Sequence, residues 1–171
     1  MVGMGFGGVV GDLMAAGCSR GGTKAGRTGS KRPKGWLPPK RRGELAELAF
    51  MRKAIGMGLM VSKTWGDSDR YDFIVDGGGK RWRVQVRSTE HAFGPRGYAV
   101  HASVYEGKKI VGLSSKDIDV IVAYIVPLDL WYVVPVEAFE PRKNLWFYPM
   151  GSKKGARFEK YREAWAILMG E

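Results

Sequence analysis

The sequence predicts an α/β domain in which a mixed β-sheet is flanked by helices, and three patterns indicate this fold. First, Arg70 to Thr89 contains two short runs of alternating apolar and polar residues joined by a Gly-rich link, which is typical of a β-hairpin. Second, the apolar run from Val120 to Pro127 is typical of a strand buried on both faces. Third, segments with helical periodicity lie at each end of this region. We therefore expect a sheet centred on the hairpin, between the first and last helices.

The first helix is predicted to begin at Gly43 and to end at Gly56. Steps of 100° per residue place four apolar residues on one stripe, Leu45, Leu48, Met51 and Ile55. Glu44 falls inside this stripe and Glu47 lies at its edge. A Glu in the first helical turn is explained by the helix dipole, which favours it by ~0.3 to 1 kcal/mol. A carboxylate directed at the core is also where a metal ligand is found, so both interpretations of Glu44 remain open.

Alternation divides the hairpin into two faces. In its first run Tyr71, Phe73 and Val75 share one face, and Asp72 lies on the other. The second run has an apolar face of Trp82, Val84 and Val86 and a polar face of Arg83, Gln85 and Arg87. The hairpin is therefore expected to bury one side and to present a carboxylate, an amide and guanidiniums on the other.

Further strands are expected around the hairpin. Leu59 to Lys63 is predicted as a short strand, and Tyr98 to Tyr105 alternates again as a third strand. Ser114 to Asp119 indicates a short helix or turn. Leu130 to Val136 is expected to pair antiparallel with the buried strand that precedes it.

A last helix is predicted from Gly155 to Met169, with four large residues at helical spacing, Phe158, Tyr161, Trp165 and Leu168. Helical periodicity is the signature of packing, so these aromatic residues are expected in the core and not as a platform for stacked bases. Lys153, Lys154 and Arg157 stand at the start of this helix, where they can meet either phosphate or solvent.

The charge is unevenly distributed along the chain. The formal net charge is +11, which points to a polyanionic partner. Residues 1–42 carry +8 of it and are rich in Gly, Lys and Arg, so they are expected to be a disordered basic extension to a domain spanning residues 43–171. Such a segment can add phosphate contacts, or it can be a dispensable tail or an over-extended translation start.

Cysteine and histidine usage excludes several site types. A single cysteine, Cys18, excludes an intramolecular disulfide framework and fits a reducing compartment, so a cytoplasmic location is expected. No apolar run approaches the length of about 18 residues needed to cross a membrane. His91 and His101 have no partner at the spacing of metal ligands.

Three pieces of sequence belong together: Gly43-Glu44 opening a helix, Tyr71-Asp72 in a strand, and Gln85-Val86-Arg87 thirteen residues beyond Asp72. In this order they resemble the PD-(D/E)XK nuclease superfamily, and particularly a bacterial branch similar to group I intron homing endonucleases and to uncharacterised endonuclease-like proteins. The resemblance spans about Arg42 to Val136. It implies a restriction-endonuclease-like core and hydrolysis of phosphodiester bonds in DNA.

The resemblance also implies a divalent metal, Mg²⁺ with Mn²⁺ as a substitute, because Mg²⁺ prefers oxygen ligands and stabilises charge on phosphoryl oxygens. Asp72 would be the main ligand and Glu44 the second carboxylate, with Glu47 as the alternative. Gln85 stands where most relatives have Asp or Glu, and its side-chain carbonyl can still coordinate, although without charge. Gln85 and Arg87 are expected on one face of a strand, about 7 Å apart along it.

Arg87 stands where the relatives carry Lys, and the two residues are not interchangeable. A guanidinium titrates above ~12 and stays protonated, so Arg87 cannot act as a general base. It can orient water or neutralise charge in the transition state.

The expected function is therefore a metal-dependent DNA endonuclease with Glu44, Asp72, Gln85 and Arg87 in its active site. Arg83, the basic extension and the cluster Lys153, Lys154 and Arg157 are candidates for contacts with the DNA backbone. Two alternatives stay open, a catalytically inactive DNA-binding module of the same fold and a structure-selective nuclease like a Holliday-junction resolvase. A homodimer or higher homo-oligomer is expected, since nucleases of this kind use two copies to cut two strands.

Overall fold

The computed structural model describes residues 37–66, 69–94, 97–151 and 156–170. The helices and strands in these ranges are, in chain order, α1 (Pro39–Gly56), β1 (Met60–Lys63), β2 (Phe73–Gly77), β3 (Lys80–Thr89), β4 (Tyr98–His101), β5 (Ser103–Glu106), β6 (Lys109–Gly112), β7 (Val120–Ile125), β8 (Leu130–Pro135), β9 (Asn144–Phe147) and α2 (Ala166–Met169). None of the helices in these ranges has the length and apolarity needed to cross a membrane.

The central sheet has five strands in the order β1-β2-β3-β7-β8. Its pairings are antiparallel except for β3 and β7, which run parallel with Gln85 opposite Ile121. The predicted mixed sheet centred on the hairpin is confirmed, since β2 and β3 form that hairpin and β3 is the middle strand. The buried strand β7 and its antiparallel neighbour β8 are confirmed as well.

The predicted third strand is wrong, because Tyr98 to Tyr105 forms two strands that belong to different sheets. β4 pairs with β9, and β5 pairs with β6. Ala102 separates them: its backbone N–H donates to Lys143 O at 2.9 Å, and its carbonyl accepts from Leu113 N at 2.9 Å. The regular alternation of the sequence continues through this break and therefore conceals it. The segment from Ser114 to Asp119 is a turn.

The sheet separates two apolar clusters. One lies beneath α1 and contains Val84 and Val86 of β3, and the other contains Ile121 and Ala123 of β7. The predicted apolar face of β3 is thus confirmed, because Val84 and Val86 are buried and Trp82 packs against the same cluster. Tyr71 differs from its prediction, since it packs against the opposite cluster from Phe73 and Val75.

Helix α1 begins at Pro39, four residues before the predicted start, with a proline in its first turn, where a missing backbone N–H costs nothing. Residues 39–42 of the predicted extension are therefore helical, and residues 1–36 lie outside the described residues.

The predicted core face of α1 is wrong at three of its four positions, whereas Met51 packs against the core as expected. Leu45, Leu48 and Ile55 are 49%, 61% and 54% exposed, and the buried residues are Ala46, Phe50 and Ala54. Phe50 stacks on Trp165 with ring centroids 6.1 Å apart and lies 5.1 Å from the Phe73 ring. The two alanines let the helix approach the sheet closely enough for Phe50 to fill this contact.

A continuous last helix is not formed. The segment contains a 3₁₀ turn at Glu159–Tyr161 and the single helical turn α2. Glu163 interrupts the segment with a φ of 48°. Its backbone N–H donates to Trp131 O of β8 at 2.8 Å, and its Oε1 accepts from Trp131 N at 2.9 Å. The predicted packing role of the aromatic residues is confirmed, since Phe158 and Trp165 are buried.

Candidate active site

A cavity of about 260 Å³ opens where β3 continues beyond the start of β2. β2 begins at Phe73, opposite Val84, so the following residues of β3 have no partner strand on that side. Asp72, Gln85 and Arg87 all line the cavity. The structure thus brings together the three residues that the sequence places on the polar side of the hairpin.

Asp72 lies immediately before the start of β2 and continues its pairing with β3. Its backbone N–H still donates to Val84 O at 2.9 Å, and its side-chain Oδ2 then accepts from the backbone N–H of Val86 at 2.7 Å. The carboxylate therefore satisfies a β3 donor that a longer β2 would have paired. Burial raises the pKa of Asp72 above its ordinary value; the hydrogen bond from Val86 opposes this shift, and the nearby charge of Glu47 adds to it.

Gln85 is a buried polar residue, with only 4% of its surface exposed. Its Nε2 donates to Asp72 Oδ2 at 2.6 Å and lies 3.4 Å from the carbonyl of Val86. The amide thus presents its nitrogen to the carboxylate. To offer its oxygen to a cation beside Asp72, the amide must turn over about its last side-chain bond.

Arg87 forms no hydrogen bond or ion pair with another described residue. Burial lowers the pKa of its guanidinium from the ordinary value, and the charges of Asp72 and Glu47 oppose this shift. Because a guanidinium titrates so far above neutrality, Arg87 keeps its charge. It also lines two neighbouring cavities of about 550 and 220 Å³. Its donors are therefore available to an anion that enters from any of the three.

The helix carboxylate at the cavity is Glu47, and the expected inward direction of Glu44 is wrong. Glu44 is 46% exposed, does not line the cavity, and places its Oε2 3.9 Å from Arg41 Nη1. Glu47 lines the cavity from the turn of α1 before Phe50. The buried position of Phe50 turns the helix so that the edge residue, and not the residue inside the predicted stripe, reaches the site.

Lys63 is a site residue that the sequence did not mark. It is the last residue of β1, opposite Phe73, and its Nζ donates to Glu47 Oε2. The ammonium also lies 5.7 Å from the centroid of the Phe73 ring. The hydrogen bond to Glu47 raises the pKa of Lys63, and burial partly offsets this. Its position at the end of a short strand was predicted, but nothing in that pattern indicated a partner on α1.

Arg83 has a structural role. Its Nε and Nη2 donate to the two carboxylate oxygens of Asp119 at 3.2 and 3.0 Å, and it also donates to the carbonyls of Ser115 and Lys116 at 2.8 and 2.6 Å. It does not line the cavity. The predicted contact with DNA therefore loses its support, because these donors already hold the turn before β7.

Of the other predicted backbone contacts, Arg157 is among the described residues. Arg157 is exposed, donates to Ala138 O at 3.1 Å and does not line the cavity. Lys153 and Lys154 lie outside the described residues.

The donor set of the cavity fits a magnesium-type site. Among the described residues, no group of three or more His, Cys, Asp and Glu is placed to hold a metal ion. The cavity nevertheless offers the carboxylates of Asp72 and Glu47 and, if the amide turns over, the oxygen of Gln85, and Mg²⁺ typically uses one or two carboxylates with water. Asp72 Oδ1 accepts no hydrogen bond from a described residue, so one carboxylate oxygen is open to a cation.

Comparisons with known proteins agree with this geometry. Residues 37–168 match a family model described as PD-(D/E)XK endonuclease. The chain is also similar to a solved structure of a bacterial homing endonuclease, I-Ssp6803I, with a TM-score of 0.68 and 29% identity over 78% of this chain and 94% of that one. No match was found among curated proteins. The resemblance predicted from the three sequence pieces is confirmed, and the chain belongs to the PD-(D/E)XK endonuclease family.

Proposed function

We propose that the chain is a divalent-metal-dependent endonuclease that hydrolyses phosphodiester bonds in DNA. The observation that carries the proposal is the cavity in which Asp72, Gln85 and Glu47 converge beside Arg87, whose guanidinium forms no hydrogen bond with a described residue. This reaction needs oxygen ligands for a divalent metal ion and a positively charged group that binds the phosphate.

The metal would be held by Asp72 and Glu47 through their carboxylates and by Gln85 through its amide oxygen. Mg²⁺ is the proposed ion, with Mn²⁺ as a substitute. When bound, such an ion withdraws charge from the phosphoryl group and from the leaving oxygen. With a neutral amide in place of a third carboxylate, the site carries less negative charge, so we expect its metal affinity to be modest.

Arg87 binds the phosphate in this proposal. Its planar fork can donate two hydrogen bonds to the non-bridging oxygens of one phosphate, and its charge offsets the charge that develops there. Because Arg87 stays protonated, it does not accept the proton of the attacking water. Its contribution is therefore electrostatic and positional.

The proposed partner is DNA, and the basic sequence favours it. The chain carries a net charge of +11, of which residues 1–42 supply the larger share, so the extension is proposed to add backbone contacts. Lys153 and Lys154 remain proposed phosphate contacts. A homo-oligomer is proposed because cutting both strands of a duplex calls for two active sites.

A plasmid assay tests the enzyme proposal. Supercoiled DNA is incubated with the wild-type protein in EDTA, Mg²⁺ or Mn²⁺, and nicked and linear products are measured. We expect metal-dependent cleavage that Asp72→Ala abolishes. Asp76→Ala is the matched control, because Asp76 is also an acidic residue of the hairpin region but pairs with Arg81 and does not line the cavity.

The arginine at position 87 favours a second candidate, a DNA-binding module without catalysis. Metal-independent binding together with no cleavage of duplex, single-stranded or four-way-junction DNA would support it and contradict the enzyme proposal. Cleavage of four-way junctions in strong preference to linear duplex would instead indicate a resolvase-like nuclease.

A further inference from the structure

Three carboxylates line the cavity, those of Asp72, Glu47 and the exposed Asp69, and the first two are engaged by donors from the protein itself. Asp72 Oδ2 accepts from Gln85 and Val86, and Glu47 Oε2 accepts from Lys63. The two contacts differ in kind. Gln85 and Val86 are neutral donors, whereas the ammonium of Lys63 carries a full positive charge at a position where a divalent cation is proposed to bind.

Lys63 is placed at the rim of the cavity and not in its floor. Its side chain is 52% exposed, whereas that of Glu47 is 21% exposed. Lys63 is the last residue of β1, and its ammonium lies 5.7 Å from the centroid of the Phe73 ring and donates to Glu47. A flexible lysine at a rim can leave its partner with little rearrangement of the backbone.

Glu47 accepts from the ammonium through Oε2, so a divalent cation at its other oxygen would lie close to a full positive charge. The two cations would repel each other at contact distance, and the carboxylate oxygens would have to be shared. This repulsion favours displacement of Lys63 when an ion is held by Asp72 and Glu47, since the exposed lysine can move into solvent. The displaced ammonium then lies at the rim without its counter-ion, where the nearest polyanion in a complex is the DNA backbone.

We propose that Lys63 is an exchangeable counter-ion, which neutralises Glu47 in the metal-free protein and transfers to a phosphate of DNA when the metal enters. This inference rests on the proposed function. It assigns a role to a residue outside the predicted active-site pattern. It also makes metal binding and DNA binding strengthen each other. The metal frees Lys63 to bind DNA, and DNA that binds Lys63 frees Glu47 for the metal.

The first test measures metal affinity without DNA. Mn²⁺ is titrated into the wild-type protein and Lys63→Met, and free Mn²⁺ is followed by electron paramagnetic resonance. We expect the variant to bind Mn²⁺ about threefold to fivefold more tightly, the scale of one partly exposed ion pair. Lys63→Gln should behave in the same way, and thermal melting of both variants verifies that they are folded.

Lys53→Met is the matched control. Lys53 also pairs with a glutamate, Glu163, at 2.9 Å, and it also lies over an aromatic ring, that of Trp165, but it does not line the cavity. Its Mn²⁺ affinity should equal that of the wild-type protein, so a general effect of removing one positive charge is separated from the effect of freeing Glu47.

The second test measures DNA affinity by fluorescence anisotropy in EDTA and in Ca²⁺, with a denaturing gel to verify that the DNA stays intact. Ca²⁺ should strengthen DNA binding by the wild-type protein, and the gain should be at least about threefold smaller for Lys63→Met, which has no ammonium to transfer. An equal gain in both proteins overturns the exchange.

The outcomes separate this inference from the proposed function. If the wild-type protein binds Mn²⁺ and Lys63→Met binds it equally or more weakly, the exchange is wrong and the metal-dependent nuclease stands. If the wild-type protein binds no Mn²⁺ at all, both are wrong.

Discussion

The amide nitrogen of Gln85 lies 2.6 Å from the Oδ2 of Asp72, and a carboxylate at position 85 would set two negatively charged acceptors at that distance. With glutamine, the pair is a hydrogen bond in the absence of any metal. A glutamate at position 85 would require a cation, or a shared proton, to hold the same geometry.

Gln85→Glu should therefore make the site dependent on metal. In EDTA near pH 8 we expect the free energy of unfolding to fall by about 1 to 3 kcal/mol, because a buried hydrogen bond is replaced by repulsion between like charges. With Mn²⁺ we expect about tenfold tighter binding than wild type, since the ligand gains a charge. Urea denaturation and Mn²⁺ titration measure the two effects. Equal stability of variant and wild type in EDTA would contradict this reading of the pair.

Asp72→Asn should alter how stability depends on pH. Burial raises the pKa of Asp72 above its ordinary value of 3.8, so the folded state favours the protonated carboxyl. Its contribution is fully present below the unfolded pKa and is lost as pH rises through the folded pKa. An asparagine can accept the same hydrogen bonds and does not titrate. We therefore expect the metal-free variant to be more stable than wild type near pH 8, and the two to converge towards about pH 4 in urea melts. A difference that is independent of pH would contradict the predicted sign.

Arg87→Met should lower kcat by about 100-fold or more, the scale of losing one donor to the developing charge. Arg87→Lys keeps a cation but loses the fork, and we expect its kcat within about tenfold of wild type. Arg81→Met is the control on the same strand, because Arg81 is 82% exposed and does not line the cavity. Single-turnover cleavage of a labelled duplex measures all three. Wild-type rates for Arg87→Met would remove Arg87 from the mechanism.

Arg83→Met should affect folding and leave DNA affinity unchanged. The guanidinium of Arg83 connects β3 to Asp119 and to two carbonyls of the turn before β7. Its side chain is 33% exposed, so we expect the free energy of unfolding to fall by about 1 to 3 kcal/mol. Urea denaturation gives this value. A weaker affinity for DNA in a fully folded variant would restore Arg83 as a backbone contact.

The sequence predicted the part of the site that lies on the hairpin. Alternation is a property of the strand itself, so Gln85 and Arg87 could be placed on one face without knowledge of the rest of the fold. Asp72 could be added because it interrupts the apolar run just before β2. These three residues are brought together by two adjacent strands, and that proximity follows from the local pattern.

The part of the site on α1 was predicted less well, for a physical reason. The buried face of this helix is made of Ala46, Phe50 and Ala54, in which two small residues contribute little to an apolar stripe. The leucines and the isoleucine of the predicted stripe are exposed, so the phase of the helix was wrong and Glu44 was favoured over Glu47. Which apolar face a helix buries depends on the surface that it meets, here the rings of Phe73 and Trp165.

The C-terminal segment illustrates a tertiary contact that overrides a local pattern. Phe158, Trp165 and Leu168 have helical spacing and are all buried, yet the chain between them turns at Glu163 to pair with Trp131. Spacing predicted which side chains are in the core. It could not predict that a strand edge would compete with the helix for the backbone hydrogen bonds of this segment.

The two faces of β3 carry different kinds of residue, one that packs beneath α1 and one that lines the cavity. Val84 and Val86 hold the strand against α1, while their neighbours Gln85 and Arg87 face the cavity. A substitution at position 85 or 87 therefore changes the chemistry and leaves the packing beneath α1 in place. The chemistry of the cavity and the packing of the strand can thus be altered by separate substitutions.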